Sequence, residues 1–437
     1  MHMRVGSDGC MSLSRTRRRT LSLAGLAAAS VIVFAACSTL AATDAADTAS
    51  AASGEVAASA LWDSASVHSI SVDFDQDAYD AMIQTYLDSG EKEWIEATVT
   101  IDGVTYESVG LKLKGNSSLR SVSAETAENP QDLPWLIRLD KFVDGQNDNG
   151  TTELVVRGNS SETALNEALA LDLLEQAGLA SEQAIAVRFS AEGSAETLRL
   201  VVQNPDDEWM ESELGDGLLY KAEAGGDYSY RGDDASAYAD VFDQQGGDED
   251  YAPLIDFLQW INEATDAEFA ADLDDHLDVQ SFATYLAFQE LVSNSDDIDG
   301  PGNNSYLYYD PDTEQMTVVN WDLNLAYGAS PGGGGGGGAG GGAQRPAQGD
   351  GAQANAGGRG AMGGSNVLAE RFLANDDFAA LVDAEFDRLQ SELIDSGVAS
   401  DLLSAWTQTL TEGASDLVPA ETITEESEAL AAKIDQQ

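Results

Sequence analysis

Between Asn294 and Gly328, carboxylates and carboxamides crowd two short loops, each beside a strand-like run. The first loop reads Asn294-Ser295-Asp296-Asp297-Ile298-Asp299-Gly300-Pro301-Gly302-Asn303-Asn304 and leads into Ser305-Tyr306-Leu307-Tyr308-Tyr309. The second begins at Asp322, directly after Val318-Val319-Asn320-Trp321. Oxygen donors in this arrangement can hold a hard cation and place a base next to it. A calcium loop of the EF-hand kind does not fit. With Gly300 as its sixth residue, Ser295 is first and Tyr306 twelfth, where acids are required. Asp296, Asp297 and Asp299 are then either working acids or aspartates that cap and solvate a loop. Asp322 ends an apolar strand, where a part-buried carboxylate needs a partner, often a metal.

The order of these groups carries information. Asp296 comes first, Asn304 eight residues later, and Asp322 after a strand. Phosphoryl transfer to a hydroxyl uses an acid that accepts the hydroxyl proton, then an Asn and an Asp that hold Mg²⁺ on the ATP phosphates. The order agrees, although the spacing differs from ordinary kinases and the Gly-x-Gly-x-x-Gly loop is missing.

Basic residues are scarce enough to follow one by one. Lys112 and Lys114, two of only six lysines, flank Leu113 and lead into Gly115-Asn116-Ser117-Ser118. Such a loop is either a phosphate cradle of backbone N–H groups, hydroxyls and a lysine, or a polar hairpin end with edge-strand lysines. Arg138 and Lys141 lie on a further strand-like run. Arg157 precedes a second Gly-Asn-Ser-Ser, residues 158–161. Glu167 sits in the next helical stretch. It either faces a strand lysine, as in many kinases, or is a solvated surface charge. Thiol and histidine chemistry is disfavoured. The cysteines are Cys10 and Cys37, outside the folded region, and His68 and His276 read as structural.

These groups need a scaffold. Alternating runs predict strands over Val67–Phe74, Ile95–Ile101, Val104–Leu113, Leu136–Phe142, Glu153–Val156, Ala184–Phe189, Thr197–Gln203 and Leu218–Ala222, with Asp102-Gly103 as a hairpin turn. Helical spacing predicts Asp75–Leu87, Glu162–Ala177 (capped by Ser161 and ended by Gly178), Asp206–Leu214, Pro253–Ala264, Asp266–His276 and Val279–Ser293. Gly225–Asp250, acidic and rich in Tyr and Gly, reads as a loop or insertion with a solvated face. Four amphipathic helices follow over Asn366–Leu373, Asp376–Ser396, Ala399–Glu412 and Glu421–Ile434. The class is α+β, strands first and helices later.

The chain has 437 residues, a formal net charge of −56 and 43% hydrophobic residues, so it can bury a large core and is a poor match for nucleic acid. Its first residues read as an export signal. Arg15, Arg17, Arg18 and Arg19 precede an apolar run, Leu21–Ala36, that ends in Phe34-Ala35-Ala36-Cys37. The open alternatives are a lipoprotein signal with Cys37 lipidated, an ordinary signal cut nearby, and an uncleaved anchor. Removing the segment takes away five arginines and one acid, so the mature chain is more acidic still. The expected layout is a signal over 1–37, a flexible Ala/Ser/Asp tether over 38–64, a domain over 65–329, a Gly-rich disordered loop over 330–365, and packed C-terminal helices over 366–437.

At four places the chain resembles the CotH family, the spore-coat-protein-H-like atypical protein kinases. They are Leu113-Lys114-Gly115-Asn116-Ser117-Ser118-Leu119, Pro134–Phe142, Asn294-x-Asp296 through Gly300-Pro301-Gly302-x-Asn304, and Trp321-Asp322-Leu323-Asn324. The resemblance implies a kinase-like fold with a β-rich N-terminal lobe and a helical C-terminal lobe. It implies phosphate transfer from ATP, with Mg²⁺ or Mn²⁺, to Ser/Thr of a protein substrate. With the export signal, that substrate is expected to be an envelope or coat protein and the enzyme to lie outside the cytoplasm on a lipid anchor. Asp296 is then the catalytic acid, and Asp322 and Asn304 the metal ligands. Lys114, Asn116, Ser117, Arg138 and Glu167 are expected on the nucleotide. Gln203, Asn303 and Asn324 stand where members often carry Glu, His and Asp. The alternative is therefore a catalytically degenerate surface protein that binds without chemistry.

Overall fold

The computed structural model describes residues 61–437 apart from 224, 295, 300–303 and 330–365, and apart from the side chains of residues 117 and 121. The signal, Cys37, most of the tether, the Gly-rich segment and Asn303 lie outside the described residues. Among those described, no helix is long and apolar enough to cross a membrane.

β1 (Val67–Phe74) alternates between buried and accessible residues. Asp75 then caps α1 (Gln76–Ser89) by accepting from the Ala78 N–H, and Gly90, at φ +78°, ends it. β2 (Ile95–Ile101) and β3 (Val104–Leu113) form the hairpin that Asp102-Gly103 predicts. β4 (Trp135–Arg138), β5 (Glu153–Val156), α2 (Leu165–Gln176), β6 (Ala184–Ala191) and β7 (Thr197–Gln203) complete the first half. Its strands close into a barrel in the order β1-β2-β3-β4-β5-β7-β6, sealed by parallel pairing of β1 with β6. One side of each strand fills the barrel with Ile70, Val99, Leu111, Ile137, Val156, Phe189 and Val201. The other side of β4 to β7, with Leu136, Val155, Ala186 and Leu200, joins the core that α2 shares with the second half of the chain.

After α3 (Asp207–Glu213), β8 (Leu218–Ala222) and β9 (Phe242–Gly246) start a second sheet. The helices α4 (Ala252–Glu263), α5 (Asp266–Asp272) and α6 (Val279–Leu291) intervene before β10 (Ser305–Asp310) and β11 (Gln315–Asn320) complete it, in the order β11-β10-β8-β9. α7 (Val367–Ala374), α8 (Asp376–Leu389), α9 (Val398–Gly413) and α10 (Ala420–Ile434) close the chain. α8 lies on α6 and α9 on α2. Phe372 on α7 meets Phe282 on α6 edge to face, at 4.8 Å between ring centres. The fold is α+β, β-rich toward the N-terminus and helical toward the C-terminus.

Four expectations are corrected. Gly225–Asp250 keeps its acids exposed, as expected, but is more than a loop: it carries β9 and buries Tyr228, Tyr238 and Phe242. Its acids sit on turns between the aromatic anchors, so neither period is visible. The strand from Leu136 ends at Arg138, whose side chain turns to Asp140 at 2.7 Å. The helix expected from Glu162 starts at Leu165, after Ala164 at φ +54°. The N–H groups of Glu162 and Thr163 are taken by the Glu426 carboxylate of α10, a partner more than 260 residues away that no local rule supplies. The helix from Asp266 stops at Asp272 and continues as a 3-10 turn, Leu273–Asp275.

Candidate active site

The Asp296 loop is fixed by a chain of amides. Asn304 donates from Nδ2 to the Asp296 backbone carbonyl (2.8 Å) and to its Oδ2 (3.0 Å). The Asp296 N–H donates to Asn294 (3.4 Å). Asn294 donates to Gln289 on α6 (2.9 Å), and Gln289 to Asn320 at the end of β11 (2.7 Å). Asn294, Gln289 and Asn320 are all buried. The loop of Asp296 and the strand that delivers Asp322 are thereby set against each other. Burial and the charge of Asp322 push the half-buried Asp296 carboxyl up, against donation from Asn304 and the pull of Arg120. Asp297 is buried, so it does not serve to solvate the loop.

Asp322 leaves β11 in a left-handed conformation, φ +66°. Its carboxylate is in contact with the guanidinium of Arg157 at the end of β5. Arg157 also donates from Nε to Glu167 on α2 (3.0 Å) and touches that carboxylate with a second nitrogen. Glu167 is therefore neither a surface charge nor the partner of a lysine. It is 4% exposed and paired with an arginine. Burial works against the Arg157 charge, but Asp322 and Glu167 outweigh it and keep it protonated. Burial pushes the Glu167 carboxyl up while Arg157 pulls it down. With guanidinium and carboxylate in direct contact, the ionised pair is the state that the geometry supports. Beside them Glu182 is 3% exposed, neither carboxyl oxygen has a side-chain hydrogen-bond partner, and burial pushes it up to about 8, against the pull of its own backbone N–H and of Arg157.

Five of the six lysines gather above these acids. Lys114 donates to Asn204 (2.9 Å), which donates to Glu153 (2.7 Å), and Lys114 lies 5.4 Å from the centre of the Trp321 ring. Arg138 spans Asp140 and Glu153. Lys112 and Lys141 flank the Trp94 ring at 4.4 and 5.1 Å. Lys92 donates to the Gly115 carbonyl (2.8 Å), and Lys221 on β8 pairs with Glu223 (2.8 Å). Burial and the neighbouring Lys221 push Lys114 down to about 7, and burial also lowers Lys92 and Lys112. So strong a concentration of cations in a chain of charge −56 suits a polyanion.

Of the residues singled out from sequence, the structure brings Asp296, Asn304 and Asp322 together, and gathers Lys114 and Arg138 around Glu153, with Lys114 beside the Trp321 ring that precedes Asp322. Asn116 precedes the 3-10 turn Ser117–Ser121 and makes no capping bond. The Ser117 side chain and Cys37 lie outside the described residues. Sequence reasoning assigned no role to Arg157, Glu182, Asn204 or Lys221. The scarcity of lysine was the one usable signal, since it applied equally to Lys92, Lys141 and Lys221.

Among the described residues no three His, Cys, Asp or Glu groups converge as a metal cage. Mg²⁺ and Mn²⁺ at a phosphate site ask for less, one or two carboxylates with the remaining positions taken by phosphate and water. The donor set fits that demand. Asp322 is close enough to raise Asp296, and Asn304 gives its N–H to Asp296, which leaves its carbonyl oxygen as a hard donor. The gathered lysines fit a nucleotide polyphosphate.

The profile of the family described as CotH kinase protein matches residues 111–424, well over half of the chain. The chain belongs to the CotH kinase protein family. The match starts on β3, just before Lys112, and runs into α10, so in this CotH protein the C-terminal helices fall inside the matched region. The inner spore coat protein H of Bacillus subtilis (strain 168) is similar, 26% identical over 167 residues. That stretch covers 37% of this chain and 45% of the relative, so the match spans less than half of the relative's length.

Proposed function

We propose that this CotH protein is a kinase that transfers the terminal phosphate of ATP to Ser or Thr hydroxyls of a protein substrate. The observation that carries the reading is the gathering of lysines around Lys114, which lies 5.4 Å from the ring of Trp321, the neighbour of Asp322, with Asp322 in turn close to the linked pair Asp296 and Asn304. Asp296 orients the attacking hydroxyl and accepts its proton, a task helped by a carboxyl that burial has made more basic. Asp322 and Asn304 would hold Mg²⁺ or Mn²⁺, which screens phosphate charge when bound. Lys114, Lys112 and Lys221 bind and orient phosphate oxygens, and Arg138 holds Glu153 beside them. The Cys37 signal and the tether support a lipid-anchored enzyme outside the cytoplasm, and the spore-coat relative supports an envelope or coat protein as substrate.

Labelled ATP with Mg²⁺ or Mn²⁺ and candidate envelope proteins tests the reading. Asp296→Asn is expected to cut transfer about a hundredfold to ten-thousandfold, with melting temperature and nucleotide binding retained. Transfer equal to wild type would remove Asp296 from the chemistry.

The contact of Arg157 with Asp322 favours a second reading, a protein that keeps the fold without catalysis, because it neutralises the intended metal ligand. Nucleotide with Mn²⁺ separates the two. Thermal stabilisation by millimolar ATP supports the kinase, and its absence in a folded protein supports the binding protein.

A further inference from the structure

Arg157 is in contact with two carboxylates, Glu167 and Asp322, while a third buried acid within its field, Glu182, has no side-chain partner on either oxygen. Such an acid is costly unless another state of the protein uses it. Arg157 exerts the strongest side-chain attraction on Glu182, so the vacant acceptor lies within the guanidinium's field. Charge balance points the same way. Arg157 with Glu167 is neutral, which leaves Asp322 and Asp296 with a charge of −2, the complement of one divalent cation. With Arg157 on Asp322 that complement is spoiled.

Building on the metal-dependent kinase reading, we propose that Arg157 is a resident counter-ion of Asp322 that keeps hold of Glu167 and swings onto Glu182 when a divalent cation arrives. Arg157 is a positioning residue in this scheme: it closes the metal site at rest and vacates it on loading. Apparent metal affinity is lowered by the fraction of molecules in which Arg157 covers Asp322. Glu167 is the fixed pivot, and the Trp321 ring, 5.6 Å from the guanidinium carbon, is the surface over which it moves.

The test is Mn²⁺ binding to the full chain without nucleotide, read by electron paramagnetic resonance of free Mn²⁺. Arg157→Gln is combined with Glu167→Gln so that no buried charge is left alone. The pair is expected to tighten Mn²⁺ binding about tenfold or more, and Asp322→Asn to abolish it. Glu182→Leu is expected to weaken binding severalfold, because the displaced guanidinium loses its acceptor. If the double variant does not fold, Arg157→Lys serves. One ammonium cannot bridge both acids as the guanidinium does, so its Mn²⁺ affinity is expected between wild type and the double variant. Affinity unchanged or weaker when Arg157 is replaced overturns the handover while leaving the kinase reading standing. Unchanged affinity in Glu182→Leu overturns the part given to Glu182. If wild type and Asp322→Asn bind Mn²⁺ alike, Asp322 is no metal ligand, and both readings fall.

Discussion

Lys114 shows what burial does to one residue at this site. Dehydration and the positive charge of Lys221 and Lys112 bring its titration down to about 7. A polyphosphate bound beside it favours the charged form and lifts that value. Binding above pH 7 therefore takes up a proton, and affinity falls as pH rises through 8 and 9. Calorimetry at pH 8 in two buffers of different ionisation heat is expected to give different apparent enthalpies for ATP, and Lys114→Met to abolish the difference. Identical heats for wild type would mean that Lys114 does not meet the phosphates. Asp296 is shifted in the direction useful to a base for the same reason, loss of water, with Asp322 adding to it.

Among elements, β3 carries the most. Its inward residues fill the barrel, its outward face presents Gly110 and Lys112, and Lys114 follows directly after its end. Gly110 is small for a packing reason. A Cβ there would lie 2.5 Å from the Lys141 Cβ and 2.9 Å from the Trp94 ring. Gly110→Ala is expected to destabilise the fold by about 1–3 kcal/mol, read as a lower urea midpoint, and to weaken ATP binding by displacing Trp94 from between Lys112 and Lys141. An unchanged midpoint would show that the loop bearing Lys141 yields easily. The strands were legible because period-2 alternation survives when one face is buried. The start of α2 was not legible, because Glu426 holds the N–H groups of Glu162 and Thr163, just ahead of the helix, from across the fold. Neither was β9, since its aromatic anchors obey no local period. Glu167 was misread for a related reason. Position on a helix does not say which cation lies opposite, and Arg157 reached it first.

Over the whole molecule, a charge of −56 repels an anionic nucleotide, while the five gathered lysines would attract one. The two effects respond oppositely to salt. Self-repulsion is long-ranged and relaxes as the Debye length shrinks from about 30 Å at 0.01 M to about 3 Å at 1 M. The melting temperature of the protein alone is expected to rise over that range. The extra stabilisation given by ATP is expected to shrink, because the same ions screen its phosphates from the lysines. Parallel rises in both quantities would argue against electrostatic binding by the lysines.

Class and most element positions were legible in the sequence, because they depend on local periodicity, and the order of Asp296, Asn304 and Asp322 marked them as candidates, because they are close in the chain. The two cysteines and three histidines also disfavoured thiolate and histidine catalysis, a matter of composition alone. Tertiary structure alone decided which charges meet. Arg157, Glu167 and Asp322 are brought together from β5, α2 and the end of β11. The lysines come from both sheets and the loops between their strands. Their pairing depends on how the barrel sits over the second sheet, and no spacing along one strand or helix encodes that.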